Sequence, residues 1–171
     1  MERPQLNDPN AILRYKMAIS YCRGKVVFEF GCGLGQGSAM ISEVAALVTA
    51  VDKPEIIEQA KAKYGKHVDF TTSMETGAAA IVVALEVIEH LEKEELEKLL
   101  EQWSSNVQEI LATTPHGDLF PHPTEFHKHH YTWKELHELF QKYYKFVVIT
   151  GCGYDPNWKC FGTFIIYGNN L

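Results

Sequence analysis

Three glycines at alternate positions, Gly31, Gly33 and Gly35, follow a short apolar segment and form the first group with a chemical meaning. A glycine-rich turn after a strand lets backbone N–H groups approach a ligand that a Cβ atom would exclude. A dinucleotide fingerprint needs a glycine at the sixth position, where Gln36 stands, so the spacing disfavours a pyrophosphate. Glu29, just before the turn, favours a cationic ligand group instead.

Asp52 ends the next apolar segment, roughly 20 residues after the glycine turn. A carboxylate in this place can accept hydrogen bonds from both hydroxyls of a ribose. Together with Glu29 and the glycine turn, Asp52 predicts a site for a cationic nucleoside. S-adenosylmethionine fits, because it is cationic and has no phosphate. Cys32, inside the turn, is interpreted as a small packing residue rather than a nucleophile.

Glu86, Glu89 and His90 form the second group, with the i, i+3, i+4 spacing that places three side chains on one side of a helical turn. His127 is the predicted fourth member. Two carboxylates and two imidazoles can bind Mg, Mn or Zn, and such an ion can lower the pKa of a substrate hydroxyl before it attacks a methyl group.

A metal-free interpretation of the same residues stays open. Glu89 and His90 can instead cap the helix that follows. His127 or His130 can then act as the general base, since the imidazole pKa suits proton transfer. The remaining histidines of this histidine-rich part of the chain are interpreted as surface or loop-ordering residues: His116, His122, His129 and His137.

On these residues the chain resembles the class I S-adenosylmethionine-dependent methyltransferases. The resemblance rests on 14–15, 26–38, 51–53, 86–91, 112–115 and 127–132, and it covers nearly the whole chain. It implies cofactor contacts from Tyr15, Glu29, Gly31, Cys32, Gly33, Gly35, Asp52, Lys53, Ser73, Met74, Leu85 and Glu86. The family often has an acidic residue after its third strand, and Thr72, Ser73 and Met74 stand there instead.

The E-x-x-E-H pattern of residues 86–90 is similar to that of metal-dependent O-methyltransferases acting on small-RNA 3′ ends and on catechols. By this resemblance Glu86 lies near the transferred methyl group, and the metal ligands are Glu86, Glu89, His90 and His127. The candidate catalytic residues are His127, His130 and Glu86. Residues 127–132 match the D-H-x-F-x-W-T segment of the RNA enzymes only loosely.

Alternating apolar patterns predict the elements that position these groups. Helices are expected over 10–23 and 38–46, from Pro54, through Leu91 to Trp103, and after Thr132, whose capping box includes Glu135. Strands are expected over 25–30, 46–51, 67–71, 81–85, 107–113, 146–150 and 161–167, the last two joined by a turn at 151–153. This order predicts a single domain over 1–171: α/β, doubly wound, with a mostly parallel seven-stranded sheet and an antiparallel edge strand.

The composition narrows the function classes. A formal net charge of −6 gives no global basic field for nucleic acid, although Lys128, Lys134, Lys142 and Lys145 suggest a local basic strip. No apolar stretch reaches the roughly 20 residues that span a bilayer, so the chain is expected to be cytoplasmic. The cysteine spacing favours free thiols over a zinc site.

The predicted enzyme is therefore a methyltransferase that acts on an oxygen or nitrogen of a small molecule or metabolite. The alternatives are a metal-assisted RNA 2′-O-methyltransferase and a non-catalytic S-adenosylmethionine-binding partner subunit. No membrane partner is expected.

Overall fold

Helices and strands alternate along most of the chain. The structure is a computed structural model that describes residues 9–123, 125–155 and 160–171, and it describes no side chain within 152–161. The helices are α1 Pro9–Cys22, α2 Gln36–Ser42, α3 Pro54–Tyr64, α4 Lys93–Asn106 and α5 Trp133–Phe140, with a 3₁₀ turn at Ile88–His90. The strands are β1 Val26–Phe30, β2 Leu47–Val51, β3 Asp69–Thr71, β4 Ile81–Leu85, β5 Glu109–Pro115, β6 Phe146–Asp155 and β7 Cys160–Asn169. They form one sheet in the order β3-β2-β1-β4-β5-β7-β6, which confirms the predicted fold class.

The chain divides into two compact units, residues 1–83 and 84–171. In the first unit β1, β2 and β3 run parallel, with Phe28 opposite Thr49 and Ala50 opposite Phe70. Their carboxyl ends therefore lie at one edge of the sheet, where the glycine turn follows β1 and Asp52 follows β2. The prediction of one domain over 1–171 stays a prediction.

The second unit contains the only antiparallel pairings among the described strands. β7 runs antiparallel to β5 and to β6, with Thr113 opposite Ile165 and Ile149 opposite Ile166. β6 forms the edge of the sheet. On α4, Leu96, Leu100 and Trp103 are fully buried, as the helical spacing of its apolar residues predicts.

Two local predictions were wrong. The turn expected at 151–153 lies inside β6, because Gly151 and Cys152 continue the ladder opposite Phe164 and Thr163. Residues 156–159, between β6 and β7 in the sequence, lie outside the described residues. The helix expected to reach residue 46 ends at Ser42, since Ala46 donates instead to the Lys25 carbonyl at 2.8 Å.

No helix in the described ranges is long and apolar enough to cross a membrane.

Candidate functional site

The glycine turn of the first unit adopts backbone angles that disfavour other residues. Gly31, Gly33 and Gly35 have φ of 78°, 56° and 79°, in the left-handed region. A Cβ atom on Gly35 would also lie 2.6 Å from the Phe70 ring. Glycine is therefore needed here both for the backbone angle and for close approach.

Asp52 holds this turn in place through its carboxylate. Oδ2 accepts a hydrogen bond from the Gly33 N–H at 2.8 Å, and Oδ1 accepts one from the Lys53 N–H at 2.8 Å. A carboxylate oxygen has more than one lone pair, so the bonds to the turn do not by themselves exclude a ligand hydroxyl. The structure thus brings together three predicted cofactor residues, Gly33, Asp52 and Lys53.

Glu29 is buried beneath α1, with 1% of its surface exposed. The Tyr15 hydroxyl donates to Glu29 Oε1 at 2.8 Å. Glu29 Oε2 is also buried and has no hydrogen-bond partner among the described residues. The Tyr15 ring occupies the space that a Cβ atom on Gly37 would take, so this glycine permits the contact between α1 and the turn. A buried carboxylate oxygen in this position suits the ammonium group of S-adenosylmethionine.

Burial raises the pKa of the Glu29 carboxyl, and the neighbouring hydroxyls of Ser38 and Tyr15 only partly offset this. Because the folded-state pKa is raised, the ligand-free protein loses stability as the pH rises through the unfolded and then the folded pKa of Glu29. We therefore expect Glu29→Gln to raise the free energy of unfolding of the ligand-free protein at pH 7. The difference in free energy of unfolding between Glu29→Gln and the unsubstituted protein should shrink as the pH falls and Glu29 becomes protonated.

The same substitution is expected to weaken binding of S-adenosylhomocysteine by about 10-fold, the loss of one charge-assisted hydrogen bond. Urea unfolding over a pH series and calorimetry at pH 7 measure the two effects. A stability difference that does not change with pH contradicts the assignment of a buried, ligand-seeking carboxylate.

The other predicted cofactor residues are placed as follows. Cys32 is buried at 4% exposure. Ser73 and Met74 follow β3, where the Ser73 N–H donates to Thr71 Oγ1 at 3.0 Å. In the second unit, Leu85 ends β4 and is 8% exposed. The cofactor roles of these residues stay predictions.

Glu86 has an unusual backbone conformation directly after β4. Its φ is 52°, and it is the only described residue other than glycine with a positive φ. The Glu86 N–H donates to the carbonyl and to the hydroxyl of Thr113, each at 3.0 Å. Strained backbone of this kind is typical of functional sites.

We expect Glu86→Gly to be more stable than Glu86→Ala by about 1 kcal/mol, because alanine retains the left-handed strain and glycine does not. Urea unfolding of the two variants measures the difference. The matched pair at Glu101, an exposed residue of α4, should show the opposite sign, with alanine the more stable. Equal stabilities of the two Glu86 variants would contradict a strained backbone there.

Three predicted metal ligands of the second unit lie together. The ligating atoms of Glu89, His90 and His127 are all within 4.8 Å of one another. Ligands about 2.1 Å from one ion lie up to about 4 Å apart, so small side-chain shifts would let all three bind a single ion. Glu89 is 1% exposed, and His90 lies at the surface.

Hydrogen bonds connect residues 126–129, in the histidine-rich segment 115–131, to the 3₁₀ turn. The Lys128 N–H donates to the Glu89 carbonyl at 2.7 Å, and the His129 N–H reaches the same oxygen at 3.3 Å. His90 Nδ1 lies 2.7 Å from the Phe126 carbonyl. A carbonyl oxygen can only accept, so His90 Nδ1 donates and Nε2 keeps the lone pair that a metal requires.

Two expectations about this cluster differ from the structure. The helical turn begins at Ile88, so Glu86 lies outside the turn on which its spacing placed it, and it is not part of the three-residue group. The alternative that Glu89 and His90 cap the next helix is wrong. Glu92 is the N-cap of α4, and its own N–H donates to Glu95 Oε2 at 3.0 Å in a capping box.

His127 and His130 are hydrogen-bonded to each other. His127 Nδ1 lies 2.6 Å from His130 Nε2, and His130 Nδ1 lies 2.5 Å from the Phe120 carbonyl. Burial, with His90 and His130 nearby, lowers the pKa of His127, and this favours the neutral imidazole that metal binding requires. Both nitrogens of His130 are engaged, and this geometry disfavours His130 as a general base.

The predicted basic strip is largely neutralised by glutamates. Lys128 lies 3.0 Å from Glu92, Lys142 lies 2.9 Å from Glu97, and Lys134 lies 3.8 Å from Glu138. For Lys145, the structure records its backbone N–H donating to Asn170 Oδ1 at 3.0 Å. This surface is therefore a mixed, ion-paired one.

Sequence reasoning missed the groups that orient the site residues. The carbonyls of Phe120 and Phe126 accept from two histidines, and the Thr113 hydroxyl accepts from the Glu86 N–H. Every residue has a backbone carbonyl, so the residue types do not indicate which carbonyl will accept a hydrogen bond. The role of Thr113, by contrast, can be inferred once the strand order is known, because Thr113 lies in β5 beside the end of β4.

Comparisons with known proteins agree with this architecture. Residues 28–108 match a family described as a methyltransferase domain. No curated protein matches the chain by sequence.

Three solved structures share the fold. The small RNA methyltransferase HEN1 has a TM-score of 0.77 at 19% identity, over 99% of this chain and 26% of that longer one. N-methyltransferase NodS from Bradyrhizobium japonicum WM9 has a TM-score of 0.74 at 13% identity, over 96% and 98% of the two chains. Magnesium protoporphyrin IX methyltransferase (ChlM) from Synechocystis PCC 6803, solved with bound SAH (S-adenosylhomocysteine), has a TM-score of 0.72 at 14% identity, over 99% and 90%.

Proposed function

The chain carries a methyltransferase domain of the class I, S-adenosylmethionine-dependent type, and from this premise we propose that it transfers a methyl group to a hydroxyl oxygen with the help of a divalent metal. The observation that carries the proposal is the group formed by Glu89, His90 and His127. Methyl transfer from a sulfonium needs mainly correct positioning and an activated nucleophile.

The residues of the first unit fit the methyl donor. Glu29 offers a buried carboxylate oxygen for the ammonium group, and Asp52 offers two oxygens for the ribose hydroxyls. The left-handed glycines bring backbone close to the ligand, where a side chain would collide. These residues bind and orient the cofactor, and none of them needs to react.

The residues of the second unit fit a metal ion. Two neutral imidazoles and one carboxylate favour Mn²⁺, Co²⁺ or Zn²⁺ over Mg²⁺, because imidazole suits the transition metals. A metal bound there would lower the pKa of a coordinated hydroxyl. Three protein ligands leave positions open for substrate oxygens. A vicinal diol, as in a catechol or at the 3′ end of RNA, would fit such a site.

A small-molecule diol is the favoured acceptor. The net charge is −6, and three of the four lysines that suggested a nucleic-acid surface are paired with glutamates. Neutralised lysines release few counterions from a phosphate backbone, so they contribute little to RNA affinity.

An RNA 3′ end is the second candidate, and the metal group favours it together with the likeness to HEN1. The terminal ribose of an RNA has two vicinal hydroxyls, as a catechol does. The two acceptors are therefore distinguished by which compound receives the methyl group.

A methyl-transfer assay with labelled S-adenosylmethionine tests both candidates. We expect labelling of catechols with Mn²⁺ and none with a chelator. The panel includes short RNAs with an intact 3′-terminal diol and the same RNAs with a 2′-deoxy end. Labelling of the intact RNA alone would replace the small-molecule proposal. Equal activity with and without chelator would refute the role of the metal, and cofactor binding without transfer to any acceptor would favour a partner-dependent subunit.

A further inference from the structure

We propose that His130 is a positioning residue that imposes the Nδ1–H tautomer on His127, which leaves His127 Nε2 as the ligating atom. The inference deepens the proposed metal-assisted function and rests on it for its purpose, whereas the tautomer itself follows from hydrogen bonds within the chain. His130 does not touch the substrate in this role.

The direction of each hydrogen bond follows from the carbonyl at the end of the series. The Phe120 carbonyl can only accept, so His130 Nδ1 carries the hydrogen at their 2.5 Å contact. A neutral imidazole has one N–H, and His130 Nε2 therefore holds a lone pair. That lone pair faces His127 Nδ1 at 2.6 Å, and His127 Nδ1 must donate.

The reverse direction needs a charged His130. Only a doubly protonated His130 could donate from Nε2 to His127. The His130 side chain is buried, with 7% of the residue exposed, and it lies between a carbonyl and another imidazole.

His127 needs such a partner more than His90 does. His90 Nδ1 donates directly to the Phe126 carbonyl, which fixes its tautomer without another side chain. A free histidine side chain prefers the Nε2–H form, which would place a hydrogen on the ligating atom of His127. Partners of this kind in other metal sites change metal affinity by about 10- to 100-fold when they are removed.

Two substitutions separate positioning from packing. His130→Phe keeps a ring of similar size but neither accepts nor donates. His130→Gln has a carbonyl that can accept from His127 and an amide N–H that can donate to Phe120. We expect His130→Phe to weaken Co²⁺ binding about 10- to 100-fold, and His130→Gln to retain affinity within about fivefold. Calorimetric titration of the full chain with Co²⁺ measures both.

Long-range ¹H–¹⁵N NMR spectra of the imidazoles report the tautomer without any metal. His127, assigned by loss of its signals in His127→Ala, is expected as Nδ1–H in the unsubstituted protein and in His130→Gln, and as a larger Nε2–H fraction in His130→Phe. If His130→Phe does not fold, the spectrum of the unsubstituted protein still decides the tautomer.

An Nε2–H His127 in the unsubstituted protein overturns the proposal, and so does equal weakening of Co²⁺ binding by both substitutions. A third outcome separates the two proposals: His127 is in the Nδ1–H form, but the protein binds no Co²⁺. It supports the positioning by His130 and refutes the metal-assisted function.

Discussion

Replacing Asp52 by alanine is expected to reduce the affinity for S-adenosylhomocysteine at least about 100-fold, the loss of two hydrogen bonds to a charged group at about 1.5 kcal/mol each. The Asp52 carboxylate also holds Gly33 and Lys53 through their N–H groups, so its removal releases the glycine turn. Calorimetry with the purified full chain measures the affinity.

Asp69→Ala is the matched control for this substitution. Asp69 is an exposed aspartate at the start of β3 in the same unit. Its removal should leave the affinity unchanged. Circular dichroism of both variants excludes global unfolding as the cause. An Asp52→Ala affinity within about threefold of the original would remove the ribose role from Asp52, because even one net hydrogen bond to a charged group exceeds that factor.

Replacing His127 by alanine is expected to lower Co²⁺ affinity more than 100-fold, because the loss of a direct ligand exceeds the loss of an orienting partner. Methyl transfer should fall by about three orders of magnitude, since the pKa-lowering effect of the metal on the hydroxyl is lost. Affinity for S-adenosylhomocysteine should change little, because its predicted ligands Glu29 and Asp52 are unaltered. Metal titration, a labelled-methyl assay and cofactor calorimetry measure the three quantities.

His122→Ala is the comparison for His127→Ala. His122 belongs to the same histidine-rich segment and is exposed, but it is not part of the three-residue metal group. It should bind Co²⁺ and transfer methyl groups as the unsubstituted protein does. If His122→Ala and His127→Ala lose activity equally, the segment matters for its conformation rather than for a ligand in it.

Strong local signals predicted the fold where no other interaction competed with them. The uninterrupted apolar run Ile81–Leu85 is β4, at the predicted residues, because a strand covered on both faces needs no polar position. The capping box of Thr132 and Glu135 begins α5 as predicted. The turn expected at 151–153 failed because pairing with β7 outweighs the turn preference of two glycines.

The candidate site was predictable in its residue types and less so in its geometry. Helical spacing led to Glu89 and His90, but it also included Glu86, whose left-handed backbone cannot be inferred from side-chain periodicity. As candidate general bases, His127 and His130 could not be told apart from the sequence. Their different hydrogen bonds depend on where the Phe120 carbonyl lies, which only the folded chain determines.

The lysine–glutamate pairs around α4 and α5 also affect how this surface encounters other macromolecules. Lys128 and Lys142 each lie within about 3 Å of a carboxylate, so a passing polyanion meets alternating charges instead of a continuous positive surface. Such a surface does not favour sliding along nucleic acid, and it gives little retention on a heparin column at moderate salt. If RNA is the acceptor, the protein would find it by direct collision with a chain end rather than by scanning along the backbone.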